Sequence, residues 1–204
     1  MAEGLKYLHS LDIIHGLLKG VSKLPNPSGR LTALLSLFLY YQVMLILWWQ
    51  ANIVVKKERA HLTDYGLYPV YSDPELNEAD TPGVDGMSRW QAPEITLSEN
   101  HSVEDYTKPG DVFSFGMVAL EIFTGEVPFN GSAAMTVSMQ IAKGKRPKIS
   151  GIAKQRGLRG GRKTLIKECW RESPEGRPKM EDAVGQLKEA EGEAKYNSLF
   201  CGIF

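Results

Sequence analysis

The stretch from Ala51 to Gly66 constrains the fold most, because its residue pattern predicts a β-hairpin. Ile53 to Val55 is a β-branched run, Lys56 to Arg59 is a charged turn, and Ala60 to Thr63 is suited to a second short strand. A chain that folds back here must bring the residues before the first strand close to those after the second.

The two ends of this hairpin carry side chains with oxygen atoms. Asn52 lies six residues before Glu58 and Asp64 lies six residues after it, so a hairpin centred on Glu58 sets the two opposite each other. Opposed Cβ atoms in an antiparallel pair lie roughly 5 Å apart. An amide oxygen and a carboxylate at that separation suit magnesium, which keeps its other coordination sites for water and phosphate oxygens. Taken alone, such residues are more often simple turn and cap residues.

Further motifs stand on both sides of the hairpin. In chain order they are His15-Gly16-Leu17-Leu18-Lys19-Gly20, Asp64-Tyr65-Gly66, Ser88-Arg89-Trp90-Gln91-Ala92-Pro93-Glu94, Gly110-Asp111-Val112-Phe113-Ser114-Phe115-Gly116 and Gly176-Arg177-Pro178. In this order and spacing the chain resembles the C-terminal lobe of a eukaryotic protein kinase domain. The resemblance is greatest to the tyrosine-kinase-like Ser/Thr kinase group, in its fungal-type His-Gly-Asp variant, and runs from Met1 to about Ala190.

The resemblance implies a fold that is mainly α with a small β-hairpin. The expected organisation is a partial kinase-like domain over residues 1–190 and a tail over residues 191–204. Neither a G-x-G-x-x-G loop nor a G-x-x-x-x-G-K-[ST] loop occurs in the 204 residues, so we expect the N-terminal lobe to be absent.

Periodicity predicts five helical segments, and Cys169 and Trp170 are expected to be buried in the fourth. Leu5, Leu8 and Leu11 are three residues apart in the first, and the second is expected to be buried nearly all round through Val112, Phe115, Val118, Ala119, Ile122 and Phe123. The segments are Ala2 to Leu11, Asp111 to Thr124 with a stop at Gly125, Ala133 to Lys143, Leu165 to Trp170 and Met180 to Glu189.

The loop at His15 departs most from the family pattern. Gly16 stands where the family has Arg, and Leu17 stands where it has the Asp that accepts the proton of the attacking hydroxyl. Leu has no proton acceptor, and general-base catalysis is typically worth about 10²–10⁴-fold. The resemblance places Lys19 at the transferred phosphate, with a solvated surface lysine as the alternative. His15 is interpreted as a packed, structural histidine rather than a catalytic one.

The resemblance also assigns a metal site and two structural contacts. Asn52 and Asp64 would bind Mg²⁺ with ATP. Asp111 would tie the backbone of the catalytic loop to its helix, although a carboxylate at a helix start can also be a simple N-cap. An ion pair is expected between Glu94 and Arg177, or else two exposed charges.

Residues 21–50 interrupt the kinase-like pattern, because deleting them restores the expected spacing Lys19-Gly20-Ala51-Asn52. Leu31 to Trp49 carries no charge and would span roughly 28 Å as a helix, close to the hydrocarbon thickness of a bilayer. Val21-Ser22 can be encoded GTNAGY and Gln50 CAG, which are the forms of a splice donor and acceptor, and the segment is thirty codons long. We therefore interpret it as a translated intron, with a membrane anchor or a genuine buried insertion as the alternatives.

Composition limits the function classes. The net charge is zero, with 24 basic and 24 acidic residues, which argues against a nucleic-acid or anionic-membrane surface. The Lys and Arg residues of 154–163 could form an anion-binding patch but are interpreted as a solvated face. Two cysteines imply no disulfide framework and favour a reducing, cytoplasmic compartment.

The expected function is that of a protein kinase domain, which by resemblance transfers phosphate from ATP to protein Ser, Thr or Tyr. Leu17 and the missing motifs predict that the chain is inactive as written. The partners are expected to be a protein substrate or a partner protein. The alternatives are a pseudokinase-type protein-binding module and a fragment anchored in a membrane through residues 31–49.

Overall fold

A computed structural model describes residues 1–20, 52–56, 59–69, 87–98 and 102–200. The elements in chain order are α1 (Ala2–Ser10), β1 (Ile53–Lys56), β2 (Arg59–Leu62), α2 (Pro93–Leu97), α3 (Lys108–Thr124), α4 (Ala134–Ala142), α5 (Gly151–Gln155), α6 (Gly160–Cys169) and α7 (Met180–Phe200). Two short 3₁₀ helices cover Val103–Asp105 and Pro174–Gly176. The fold is therefore mainly α with one small antiparallel hairpin, as predicted.

The hairpin forms at the predicted place but in a different register. Ile53 pairs with Leu62 and Lys56 with Arg59, so the centre lies between residues 57 and 58 rather than on Glu58. A two-residue connection is the commonest hairpin turn, whereas a centre on one residue requires an odd-numbered loop. The prediction that Asn52 opposes Asp64 is wrong, because the backbone N–H of Thr63 donates to the Asn52 carbonyl at 3.1 Å.

Helix α3 lies at the centre of the core, and much of its surface is buried, including Phe113, Phe115, Met117, Val118 and Leu120. The helix begins at Lys108, one turn before the prediction, and ends at Gly125 with the left-handed conformation of φ 71°. Ile122 was expected to be buried but is 63% exposed, since the core covers most of the helix but not its whole circumference.

The other helices pack around α3. α6 packs against both α3 and α7, and α1 packs against α7. In α1, Leu5 and Leu8 are buried but Leu11, which follows the helix end, is exposed. α7 continues to Phe200 and so passes the boundary that the sequence suggested at residue 190.

Among the helices that the structure describes, none has the length and apolar character to cross a bilayer. The sequence-based candidate for a span, residues 31–49, and the whole interrupting segment 21–50 lie outside the described residues.

Candidate functional site: the loop at His15 and its supports

Asp111 binds the backbone of the loop that begins at His15. Its Oδ2 accepts the N–H of His15 at 2.8 Å and its Oδ1 accepts the N–H of Gly16 at 2.8 Å. His9 Nε2 lies 2.9 Å from the same Oδ2. The N-cap of α3 is instead Thr107, whose hydroxyl accepts the N–H of Gly110. Asp111 therefore contacts the loop and does not cap the helix.

Gly16 has a positive φ of 75°, and the ring of Tyr68 covers it. A Cβ atom at Gly16 would lie 2.4 Å from Tyr68 Cδ1 and 2.8 Å from Tyr68 Cβ. Tyr68 in turn stacks on Tyr106 with 4.8 Å between ring centroids. No local sequence pattern singles out Tyr68. In this arrangement the position has no room for the Arg of the family pattern.

Leu17 is in the core and is only 3% exposed. Its backbone carbonyl accepts a hydrogen bond from Asn52 Nδ2 at 2.7 Å, and Asn52 is itself buried. The loop backbone is thus hydrogen-bonded by residues from two distant parts of the chain. Asp111 binds the N–H groups of His15 and Gly16, and Asn52, which follows residues 21–50, binds the carbonyl of Leu17.

Asp64 follows β2 in the left-handed region, with φ 57°, and its side chain is exposed. Lys19 is half-buried, and burial lowers the pKa of its ammonium group while the carboxylate of Asp64 opposes that shift. Asp64 therefore lies near Lys19 as well as near the loop, where the backbone N–H of Gly66 donates to the His15 carbonyl at 3.3 Å.

His15 is fully buried. Burial lowers the pKa of its imidazole, and the nearby carboxylate of Asp111 opposes this effect. Nδ1 accepts a long hydrogen bond of 3.4 Å from the N–H of Leu17, and Nε2 has no partner among the described residues.

The ion pair between Glu94 and Arg177 is present and bidentate. Arg177 Nη1 and Nη2 lie 2.6 Å and 2.8 Å from the two carboxylate oxygens. The guanidinium also donates to the carbonyls of Pro109, Arg171 and Glu172. The Arg177 side chain is 0% exposed and that of Glu94 25% exposed, so the pair is largely desolvated and links the start of α2 to the segment before α7.

A buried carboxyl group that the sequence did not reveal lies behind the loop. Glu121 accepts a hydrogen bond of 3.0 Å from Trp90 Nε1, and burial raises its pKa to about 7. Its carboxylate faces Gly20, where an added Cβ would lie 1.9 Å from Oε2. The sequence signal that could have identified this group is a Glu within an otherwise apolar helix.

The comparisons with known proteins agree with this architecture. The family described as protein tyrosine and serine/threonine kinase matches residues 49–187. The loop at His15 lies before the matched residues, and it is hydrogen-bonded to two residues inside the match, Asn52 and Asp111.

Three relatives illustrate the range of similarity. The RGS domain-containing serine/threonine-protein kinase A of Dictyostelium discoideum is 25% identical over 98% of this chain and 14% of its own length. The serine/threonine/tyrosine-protein kinase HT1 of Arabidopsis thaliana is 28% identical over 93% of this chain and 38% of its own length. A protein of Acanthamoeba polyphaga mimivirus named as a serine/threonine-protein kinase/receptor, R818, is 39% identical over 54% of this chain and 6% of its own length.

The chain spans less than two fifths of the length of each of these relatives. The helical fold, the matched residues and the kinase names of the relatives point the same way. The chain belongs to the protein tyrosine and serine/threonine kinase family.

Proposed function

We propose that this chain is a kinase-family domain that has lost phosphoryl transfer. The observation that carries the proposal is the burial of Leu17, the residue that the family resemblance aligns with the proton-accepting Asp. The loop backbone around it is held by Asp111 and Asn52. The defect is therefore one of side-chain chemistry rather than of loop architecture, and loss of a general base alone removes about 10²–10⁴-fold of rate.

Asn52 and Asp64 are the residues that would hold Mg²⁺. Asn52 Nδ2 is engaged by the Leu17 carbonyl, which leaves the amide oxygen as the atom for a cation. Among the described residues there is no group of three or more His, Cys, Asp or Glu side chains placed to hold a metal. Two protein oxygens, with water and phosphate completing the shell, are a usual magnesium environment. When bound, Mg²⁺ with ATP would supply the phosphoryl group, and Lys19 would contact it.

The test is a phosphoryl-transfer assay with γ-labelled ATP and Mg²⁺ on the 204-residue chain. We expect no transfer to the chain itself or to a mixed Ser/Thr/Tyr peptide set. Transfer that is lost in Asp64→Asn but kept in the exposed control Asp12→Asn would refute the proposal. Leu17→Asp is expected to remain inactive, because the glycine-rich loop and strand lysine of the family do not occur in these residues. Phosphorylation by that variant would refute this second argument.

A second candidate is a pseudokinase-type protein-binding module. On α4, Met135 is 81% exposed and Met139 is 56% exposed, and residues four apart lie on one helix face. Exposed methionines are typical of adaptable protein-binding surfaces. Binding of magnesium-ATP without transfer, measured by a thermal shift that Asp64→Asn removes, would indicate a pseudokinase. Absence of nucleotide binding would leave only a role in protein association.

For residues 21–50 we propose an insertion that the fold does not require. The hydrogen bond from Asn52 to Leu17 joins the chain across the insertion, whereas a single membrane span would separate its two ends by roughly 30 Å. Sequencing of the transcript tests the intron hypothesis, since codons 21 to 50 should be absent from the spliced form. Recovery of the expressed chain in the soluble fraction would contradict an anchor at residues 31–49.

A further inference from the structure

Basic side chains are concentrated on α5, α6 and the turn between them. From residue 127 to residue 167 the chain contains no Asp or Glu. Within this stretch the cationic surface is defined by six residues, Lys154, Arg156, Arg159, Arg162, Lys163 and Lys167. Among the residues that the structure describes, none of the six forms an ion pair, although Arg146, Arg171 and Arg177 elsewhere do.

The arginines of the cationic surface are held together by backbone carbonyls. Arg159 Nε donates to the Lys154 carbonyl at 2.8 Å, and Arg162 Nη1 lies 3.4 Å from the Gly157 carbonyl. Arg156 Nη1 lies 3.5 Å from the Phe123 carbonyl at the end of α3. The contacts of Arg159 and Arg162 place the start of α6 beside the end of α5, and each guanidinium group retains further N–H donors.

The cations are spread rather than convergent. Lys163 and Lys167 lie one turn apart on α6, where Cβ atoms are roughly 6 Å apart, and Lys154 belongs to α5. A single anion cannot contact all of them, whereas an extended segment with repeated negative charges can. Positive patches of this kind steer and orient oppositely charged partners.

The surrounding residues favour a protein partner over a nucleic acid or a membrane. Residues 150–169 contain no aromatic side chain, so the surface lacks the stacking groups that single-stranded nucleic acids use. Its one large exposed apolar residue is Ile152, which is too little for an amphipathic face that inserts into lipid.

We propose that the cationic surface is a docking site for an acidic polypeptide segment of a partner protein, with carboxylates repeated along an extended backbone. This interaction goes beyond the proposed function and does not depend on whether the chain binds ATP or transfers phosphate. It also revises the interpretation of residues 154–163 as a solvated face, because among the described residues no carboxylate pairs with these side chains.

The probe is a fluorescein-labelled peptide of about eight residues with alternating Glu and Ser, roughly 26 Å long when extended. Fluorescence anisotropy with the 204-residue chain should show saturable binding, and the matching Gln-Ser peptide should not bind. Binding should be lost between about 0.1 M and 1 M NaCl, where the Debye length falls from ~10 Å to ~3 Å.

Charge reversal identifies the surface. Lys154, Lys163 and Lys167 donate no side-chain hydrogen bond to described residues, so the triple variant K154E/K163E/K167E should fold and weaken binding by about tenfold or more. The control K143E/K145E/K148E changes three exposed lysines after α4 and should bind within about twofold of the native chain. Equal loss in both variants would overturn the assignment. Absence of saturable binding, or tighter binding to a DNA oligonucleotide or to phosphatidylserine vesicles, would overturn the proposal.

Discussion

The buried carboxyl group of Glu121 should make the stability of the domain depend on pH in an unusual direction. Glu121 is buried on α3, hydrogen-bonded by Trp90 Nε1 and close to Gly20. Its pKa is raised from 4.5 to about 7, chiefly because burial disfavours the charged form. The folded state therefore holds a proton at a pH where the unfolded chain has released it.

Below pH 4.5 the carboxyl is protonated in both states and contributes no pH dependence. Between pH 4.5 and about 7 only the unfolded chain ionises, so stability falls as the pH rises. Above about pH 7 both states are ionised and the full cost remains. One pKa unit corresponds to about 1.4 kcal/mol, so the cost at pH 8 is about 3 kcal/mol.

The variant Glu121→Gln keeps an oxygen that accepts the Trp90 N–H and removes the titration. We expect the free energy of unfolding of the variant, minus that of the native chain, to rise by about 3 kcal/mol from pH 4.5 to pH 8. Urea unfolding at a series of pH values measures this difference, and subtraction removes the titration of His15 from the comparison. Glu126, an exposed glutamate five residues after Glu121, provides the control. Glu126→Gln should change the free energy of unfolding by less than about 0.5 kcal/mol at every pH. A difference for Glu121→Gln that stays constant with pH would refute the reasoning.

Three further substitutions test other contacts of the site. Arg177→Met should destabilise the fold by about 3 kcal/mol, because it leaves Glu94 partly buried without its partner. Thermal unfolding measures this loss of stability, and a shift in Tm of under a degree would contradict the pairing argument. Gly16→Ala should cost about 1–3 kcal/mol through its positive φ and the contact with Tyr68, and adding Tyr68→Ala should recover part of that loss in urea unfolding. Asp111→Asn should cost about 1.5–3 kcal/mol, since hydrogen bonds to a charged acceptor are replaced, and hydrogen exchange should show the N–H groups of His15 and Gly16 losing protection; unchanged protection would contradict this.

Local pattern accounts for the elements that the sequence predicted correctly. The three-residue spacing of Leu5 and Leu8 and the apolar run before Gly125 define α1 and α3, because helix formation and its termination depend on residues within a few positions of one another. The ion pair of Glu94 with Arg177 and the loop contact of Asp111 came from the resemblance to the kinase family, since these partners lie about 80 to 100 residues apart.

Contacts between distant segments required the tertiary structure. The exposure of Ile122 depends on which side of α3 its neighbours cover, and the hairpin register depends on a turn type that a charged run does not specify. Tyr68 over Gly16 and the hydrogen bond of Trp90 to Glu121 likewise join residues with no fixed spacing along the chain. The residues alone thus specified α1, α3 and the presence of the hairpin, because these follow from patterns within a few positions along the chain. The burial of Glu121 and the hydrogen bond between Asn52 and Leu17 were decided only by tertiary packing, because desolvation and long-range hydrogen bonds depend on the segments that surround the site.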